Sequence, residues 1–140
     1  MLPFCGYHVA DYFEHWLAIG RSVANPPKIF TVNWFRKDVD GKFIWPGFGE
    51  NMRVLRWIFE RCRGRARAVA TVLGWQPEYG DLEWTSLDFG PDRFAQVMNV
   101  NSEEWQRELA AHDQFFSKLG TKQPPVLRSE RSKLGARLER

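Results

Sequence analysis

Between Phe43 and Asn51 the chain reads FIWPGFGEN, with four large apolar side chains, two glycines and a proline set directly before the helix-like run NMRVLRWIFERC. Leaving rings of this size in water forfeits roughly 25 cal/mol for every Å² of apolar surface. They need a cover, and the sequence allows two: the protein's own core or a flat ligand. Any fold for this chain has to resolve that choice.

The wider composition repeats the problem. Seven Trp, three Tyr and eleven Phe in 140 residues are a heavy aromatic load, although a hydrophobic content of 44% with 26% charged residues is ordinary for a globular domain. That length is one domain by the usual size relation. Thr121 to Arg140 hold six of the 20 Lys/Arg and two of the 17 Asp/Glu, so the basic character belongs to the tail. A second basic knot, RCRGRAR at Arg61 to Arg67, reads as solvated surface, and no basic stripe of the kind that grips nucleic acid is present. Cys5 and Cys62 lack metal-ligand spacing and read as small buried hydrophobes in a reducing compartment. The N-terminus MLPFCGYHV has no charged region ahead of a long apolar run, and no segment approaches the ~18 apolar residues of a membrane span. A cytoplasmic protein without membrane or nucleic-acid partners is expected.

Along the chain, Val9, Tyr12, Phe13, Trp16 and Leu17 repeat at helical spacing, with Gly20 at a C-cap position. After Asn25-Pro26-Pro27, the short run KIFTVNWF reads as a largely buried strand, KDVDGK as a turn and KFIW as a returning strand. A helix from Asn51 places Val54, Leu55, Ile58, Phe59 and Cys62 on one side and closes at Gly64. AVATVLGW is a further short-strand candidate, and Pro91 starts a short helix. Asn101 and Glu104 stand at capping-box positions of a helix whose face is Trp105, Leu109, His112, Phe116 and Leu119, with Gly120 at its end. Beyond Pro124-Pro125, Leu127, Leu134 and Leu138 are spaced for a weak terminal helix. This is an α/β pattern with few short strands flanked by helices, as in a piece of a larger α/β domain.

The residues carry little evident catalytic chemistry. His8, Asp11 and His15 lie on one helix but lack the i, i+4 histidine pairing of helical metal motifs. DVDG fails as a calcium loop, because the neighbouring ligand positions fall on Arg36 and Gly47. No Gly-rich phosphate loop, activated nucleophile or carboxylate cluster is found. What the hairpin does offer is Phe35, Phe43 and Phe48, three rings able to converge on one slot for a flat heterocycle, where stacking is worth about 1–3 kcal/mol per base. Gly47 and Gly49 leave loop backbone open to a ligand edge. Asn51 has two readings, an N-cap or a reader of a purine edge, and a freely flipping amide fits adenine and guanine alike.

The run PKIFTVNWFRKDVDGKFIWPGFGENMRVLRWIFER resembles the nucleotide-base segment of GTP-dependent phosphoenolpyruvate carboxykinases. LPFCGYHVADYFEHWL resembles that family's Pro-Phe-x-Gly-Tyr segment and the helix after it, and EEWQREL a late helix opened by a Trp. The resemblance implies a partial C-terminal lobe of the carboxykinase nucleotide-binding domain over residues 1–120, followed by a basic tail over 121–140. It implies a gluconeogenic lyase that decarboxylates oxaloacetate and phosphorylates the enolate with GTP, yielding phosphoenolpyruvate, GDP and carbon dioxide, with manganese or magnesium. In that reading Phe35, Phe43 and Phe48 form the guanine slot, and Phe48, Gly49, Glu50 and Asn51 line its edge. The choice of guanine comes from the resemblance alone.

The family's phosphate loop, its metal-binding Lys, His and Asp, its substrate arginines and its lid all precede the matched region, so no catalytic residue or metal ligand is assigned here. The expectation is a guanine-nucleotide-binding part that is inactive in isolation and partnered by the missing N-terminal part. The alternative is a truncated fragment that acts only as a structural or interaction partner.

Overall fold

The computed structural model describes residues 2–139, and its contacts divide the chain into two units, Lys28–Val100 and the combination of Met1–Pro27 with Asn101–Arg140. The second of these is helical, with α1 (Val9–Ser22), α4 (Ser102–Ser117) and α5 (Pro125–Leu138). His8 caps α1, its Nδ1 accepting from the Ala10 N–H at 3.2 Å, and Asn101 caps α4 by accepting from the Glu104 N–H at 3.0 Å. Phe13 meets Phe115 edge to face at 6.2 Å. Buried Leu109 lies against Gly135 of α5, where an added Cβ would stand 3.8 Å from the leucine Cδ1. Arg131 of α5 donates to Asp113. The basic tail is therefore a packed helix.

In the unit Lys28–Val100, α2 (Asn51–Cys62) is followed by a small antiparallel hairpin, β1 (Val69–Thr71) with β2 (Gly74–Gln76), and then α3 (Pro91–Met98). Val69 pairs with Gln76 and Thr71 with Gly74. The α/β class therefore stands, but its strands come from the AVATVLGW region alone. The largely buried strand expected over KIFTVNWF does not form: among the described residues, Lys28 to Phe35 make no backbone–backbone hydrogen bond, the chain bends at Trp34, and all of these residues but Phe30 and Trp34 are exposed. A strand of any composition needs a neighbour for its ladder, and among the described residues none lies beside this one. KFIW does turn back, through the Asp38–Lys42 turn, but pairs only as an isolated bridge between Lys37 and Phe43.

The core of this unit is aromatic. Ile44, Trp45, Trp57, Leu82, Phe89 and Phe94 are buried, with Phe30, Trp34, Tyr79 and Trp84 packed against them. Trp84 is stacked between Tyr79, 5.1 Å away, and Phe89, 5.2 Å away, and its Nε1 donates to the Tyr79 carbonyl at 2.8 Å. The buried residue of α2 is Trp57, with Val54 and Ile58 at its sides, whereas Leu55 and Phe59 are 44% and 52% exposed and Cys62 is exposed. This shifts the expected apolar face by part of a turn. Trp57 sets the orientation because its indole N–H donates to the Arg67 carbonyl at 3.0 Å while its ring meets Phe30 at 6.1 Å. Cys5 is half-buried, so neither thiol is the fully buried hydrophobe expected.

Candidate functional site

The stretch FIWPGFGEN divides between the two covers open to it. Ile44 and Trp45 are 4% and 7% exposed and belong to the core, whereas Phe43 and Phe48 are 53% and 91% exposed. Three local devices hold this division. Asp38 Oδ1 accepts from the Asp40 and Lys42 N–H groups and closes the turn. The Ile44 N–H donates to the Arg36 carbonyl at 2.9 Å, which sets Phe35 and Phe43 side by side. Arg36 Nη1 then donates to the carbonyls of Val97 and Asn99, placing a cation at the C-terminus of α3 and anchoring the segment that carries Phe35.

Phe35 and Phe43 are thus brought together, centroids 6.0 Å apart and planes at 64°, an edge-to-face pair. Phe35 is 72% exposed, and Lys37 Nζ lies 5.3 Å from the Phe43 centroid, over one face of that ring. Phe48 does not join their ring contact. It opens the 3-10 turn Phe48–Glu50, which leads directly into α2. Phe35 and Phe43 touch each other edge to face and leave much of each ring open to solvent.

Gly47 is the hinge of this turn. Its φ of +126° and ψ of −174° fall in a region essentially reserved for glycine. Gly49 sits within the 3-10 turn without a positive φ, and a Cβ added there would meet nothing within 4 Å. Gly47→Ala is accordingly expected to cost about 1–3 kcal/mol of stability, and Gly49→Ala to be close to neutral. Urea denaturation of the two variants side by side checks this, and equal losses would contradict it.

Glu50 and Asn51 are both engaged by the protein. The Glu50 carboxylate accepts from Arg53 Nε at 2.5 Å through Oε2, and its backbone N–H donates to the Gly47 carbonyl at 3.1 Å. Arg53 also donates to the carbonyls of Glu83 and Thr85, at 2.7 and 3.0 Å, tying the Phe48–Glu50 turn to a second loop. Within that loop the Thr85 hydroxyl and N–H donate to the Glu83 carboxylate and hold it below the usual carboxylate range. That preference for the turn is present above the unfolded-state pKa and fades as pH falls through the lowered one. Asn51 is not an N-cap. Glu50 occupies that position without a side-chain bond, and Asn51 Oδ1 instead accepts from Trp45 Nε1 at 2.8 Å. Sequence reasoning passes over Trp45 and Arg53 because both residues read there as packing and surface charge.

The described residues contain no group of three or more His, Cys, Asp or Glu able to hold a metal ion, and the sequence holds no Gly-rich phosphate loop. No described helix is long and apolar enough to cross a membrane.

The family described as phosphoenolpyruvate carboxykinase C-terminal P-loop domain matches residues 1–137. The phosphoenolpyruvate carboxykinase (GTP) of Treponema pallidum (strain Nichols) is 45% identical over 141 residues, covering 99% of this chain and 23% of that protein. The proteins of the same name from Anaeromyxobacter sp. (strain K) and Corynebacterium jeikeium (strain K411) are 46% identical over 134 residues and 41% over 140. They are covered to 22% and 23% of their lengths, against 96% and 99% of this chain. The chain thus spans under a quarter of the length of these relatives, and by a match that runs through nearly all of its residues it belongs to the GTP-dependent phosphoenolpyruvate carboxykinase family, corresponding to the C-terminal part.

Proposed function

We propose that this chain supplies the guanine-recognising end of the nucleotide site of a GTP-dependent phosphoenolpyruvate carboxykinase and does not turn over by itself. In the whole enzyme the reaction is oxaloacetate plus GTP to phosphoenolpyruvate, GDP and carbon dioxide, a cytoplasmic step of gluconeogenesis. Residues 1–120 serve as the C-terminal part of the nucleotide-binding domain and 121–140 as its basic tail. The remainder of the enzyme, the part that precedes this region in the relatives, is the partner that brings the phosphate loop and the manganese or magnesium ligands.

Phe35, Phe43 and Phe48 supply stacking faces, Gly47 sets the turn that carries Phe48, and Gly49, Glu50 and Asn51 form the edge next to them. The observation that carries the reading is the Phe35–Phe43 pair, held together by the Ile44–Arg36 bond yet largely open to solvent. Rings fixed in place but left uncovered are what a stacking ligand requires.

Phe43→Ala is expected to weaken GDP binding roughly tenfold, the effect of losing one base–aromatic stack. Ligand-observed NMR titration of wild type and variant measures it. A wild-type chain that shows no GDP response would leave the second reading, a structural or interaction partner. That reading is favoured by Met52, Leu55 and Phe59, which form an exposed apolar row along α2.

A further inference from the structure

We propose that Trp45 is the residue that decides between guanine and adenine, by locking the Asn51 side-chain amide in one orientation. The inference rests on the base-site reading above and extends it to a residue that touches no ligand. An indole N–H is a donor with no acceptor capacity, so the Asn51 atom facing Trp45 Nε1 at 2.8 Å must be the carbonyl oxygen. The amino group, Nδ2, is then the end of the amide that remains for a ligand.

The lock is rigid. Trp45 is 7% exposed, and its ring lies 5.7 Å from Trp34, 5.6 Å from Phe89 and 6.5 Å from Trp84, so it cannot swing away to release the amide. Asn51 is equally constrained, standing as the first residue of α2 with helical backbone angles. Flipping its amide would turn Nδ2 toward the indole N–H, donor against donor, and leave a half-buried N–H unpaired.

The two purines differ at position 6. Guanine carries a carbonyl oxygen there and adenine an amino group, while N7 accepts in both and discriminates nothing. An Asn51 amino group fixed toward the ligand donates to the guanine oxygen and meets the adenine amino group donor to donor. An unlocked amide loses this choice, since either end can then face the base. The free-flip ambiguity that the sequence leaves open is thus closed by a core tryptophan.

The test is a ligand-observed NMR titration of the 140-residue chain with GDP, IDP and ADP, for wild type, Trp45→Phe and Asn51→Asp, with a thermal melt of each. IDP keeps the position-6 oxygen and lacks the 2-amino group, so it isolates the contact at issue. In wild type, GDP and IDP are expected to bind about tenfold more tightly than ADP. Trp45→Phe preserves an aromatic ring and removes the N–H, and is expected to bring the IDP-to-ADP ratio to within about threefold. Asn51→Asp offers acceptors alone and is expected to invert the ratio toward ADP, which decides the matter should Trp45→Phe not fold. A folded Trp45→Phe with the wild-type ratio, or an Asn51→Asp that still prefers IDP, overturns the lock. Wild type binding GDP and ADP equally overturns it while leaving the base site intact, whereas wild type binding none of the three removes the site and the lock together.

Discussion

Trp57→Ala is expected to lower the unfolding free energy by about 3–5 kcal/mol, the usual loss when a large buried ring is removed. Trp57 is 5% exposed and is the one buried residue of α2, so it carries most of that helix's attachment to the aromatic core. Its ring meets Phe30 edge to face, at 82°, and its N–H donates to the Arg67 carbonyl beyond the end of the helix. Truncation empties the contact with Phe30 and strands the Arg67 carbonyl at the same time. Trp57→Phe separates the two effects. It retains most of the packing and loses the hydrogen bond, for an expected cost of about 1–2 kcal/mol. Urea denaturation midpoints, with the denaturant slope held as a check on two-state behaviour, measure both variants. A Trp57→Ala loss below about 1 kcal/mol would mean that α2 is held by Leu55 and Phe59 instead, the face its sequence favours.

Arg53→Ala is expected to cost about 2–3 kcal/mol and to loosen two loops at once. One guanidinium bonds Glu50 in the turn ahead of α2 and the carbonyls of Glu83 and Thr85 in a loop some thirty residues on. Hydrogen bonds from a charged donor are worth more than neutral ones, and removing this donor leaves a partly buried carboxylate without its partner. Arg53→Lys should recover little, because an ammonium on a flexible stem cannot span three acceptors in the plane a guanidinium offers. Amide hydrogen exchange is the sharper readout. Protection is expected to fall around Phe48–Asn51 and around Glu83–Leu87 together, and a change confined to one loop would show that Arg53 does not couple them. Since the first loop carries Phe48, Arg53→Ala should also weaken any nucleotide response without touching the stacked rings.

The helices are the legible part of this chain. Asn51, Pro91 and Asn101 mark helix starts in the sequence, and the structure places α2, α3 and α4 there, because the Asn101 cap, the geometry of Pro91 and 3.6-residue periodicity act within a few residues of where they are written. KIFTVNWF fails as a strand for the complementary reason. Its composition describes a chain that prefers to be extended and largely buried, yet only Phe30 and Trp34 pack against the core and Ile29 is 87% exposed. Whether that becomes a strand depends on a neighbouring backbone, and no property of these eight residues supplies one.

The same division runs through the candidate site. The sequence alone determined that a turn stands between Phe35 and Phe43, that glycines flank Phe48, and that an amphipathic helix begins at Asn51, all of which are short-range consequences of residue type. The tertiary structure decided that Ile44 and Trp45 turn inward while their neighbour Phe43 stays out, that Gly47 needs to be glycine where Gly49 does not, and that Asn51 answers to Trp45 rather than to its own helix. Those outcomes depend on Trp34, Trp84, Phe89 and Val97, residues brought close by folding, and packing between distant segments is the one influence that local preference does not record.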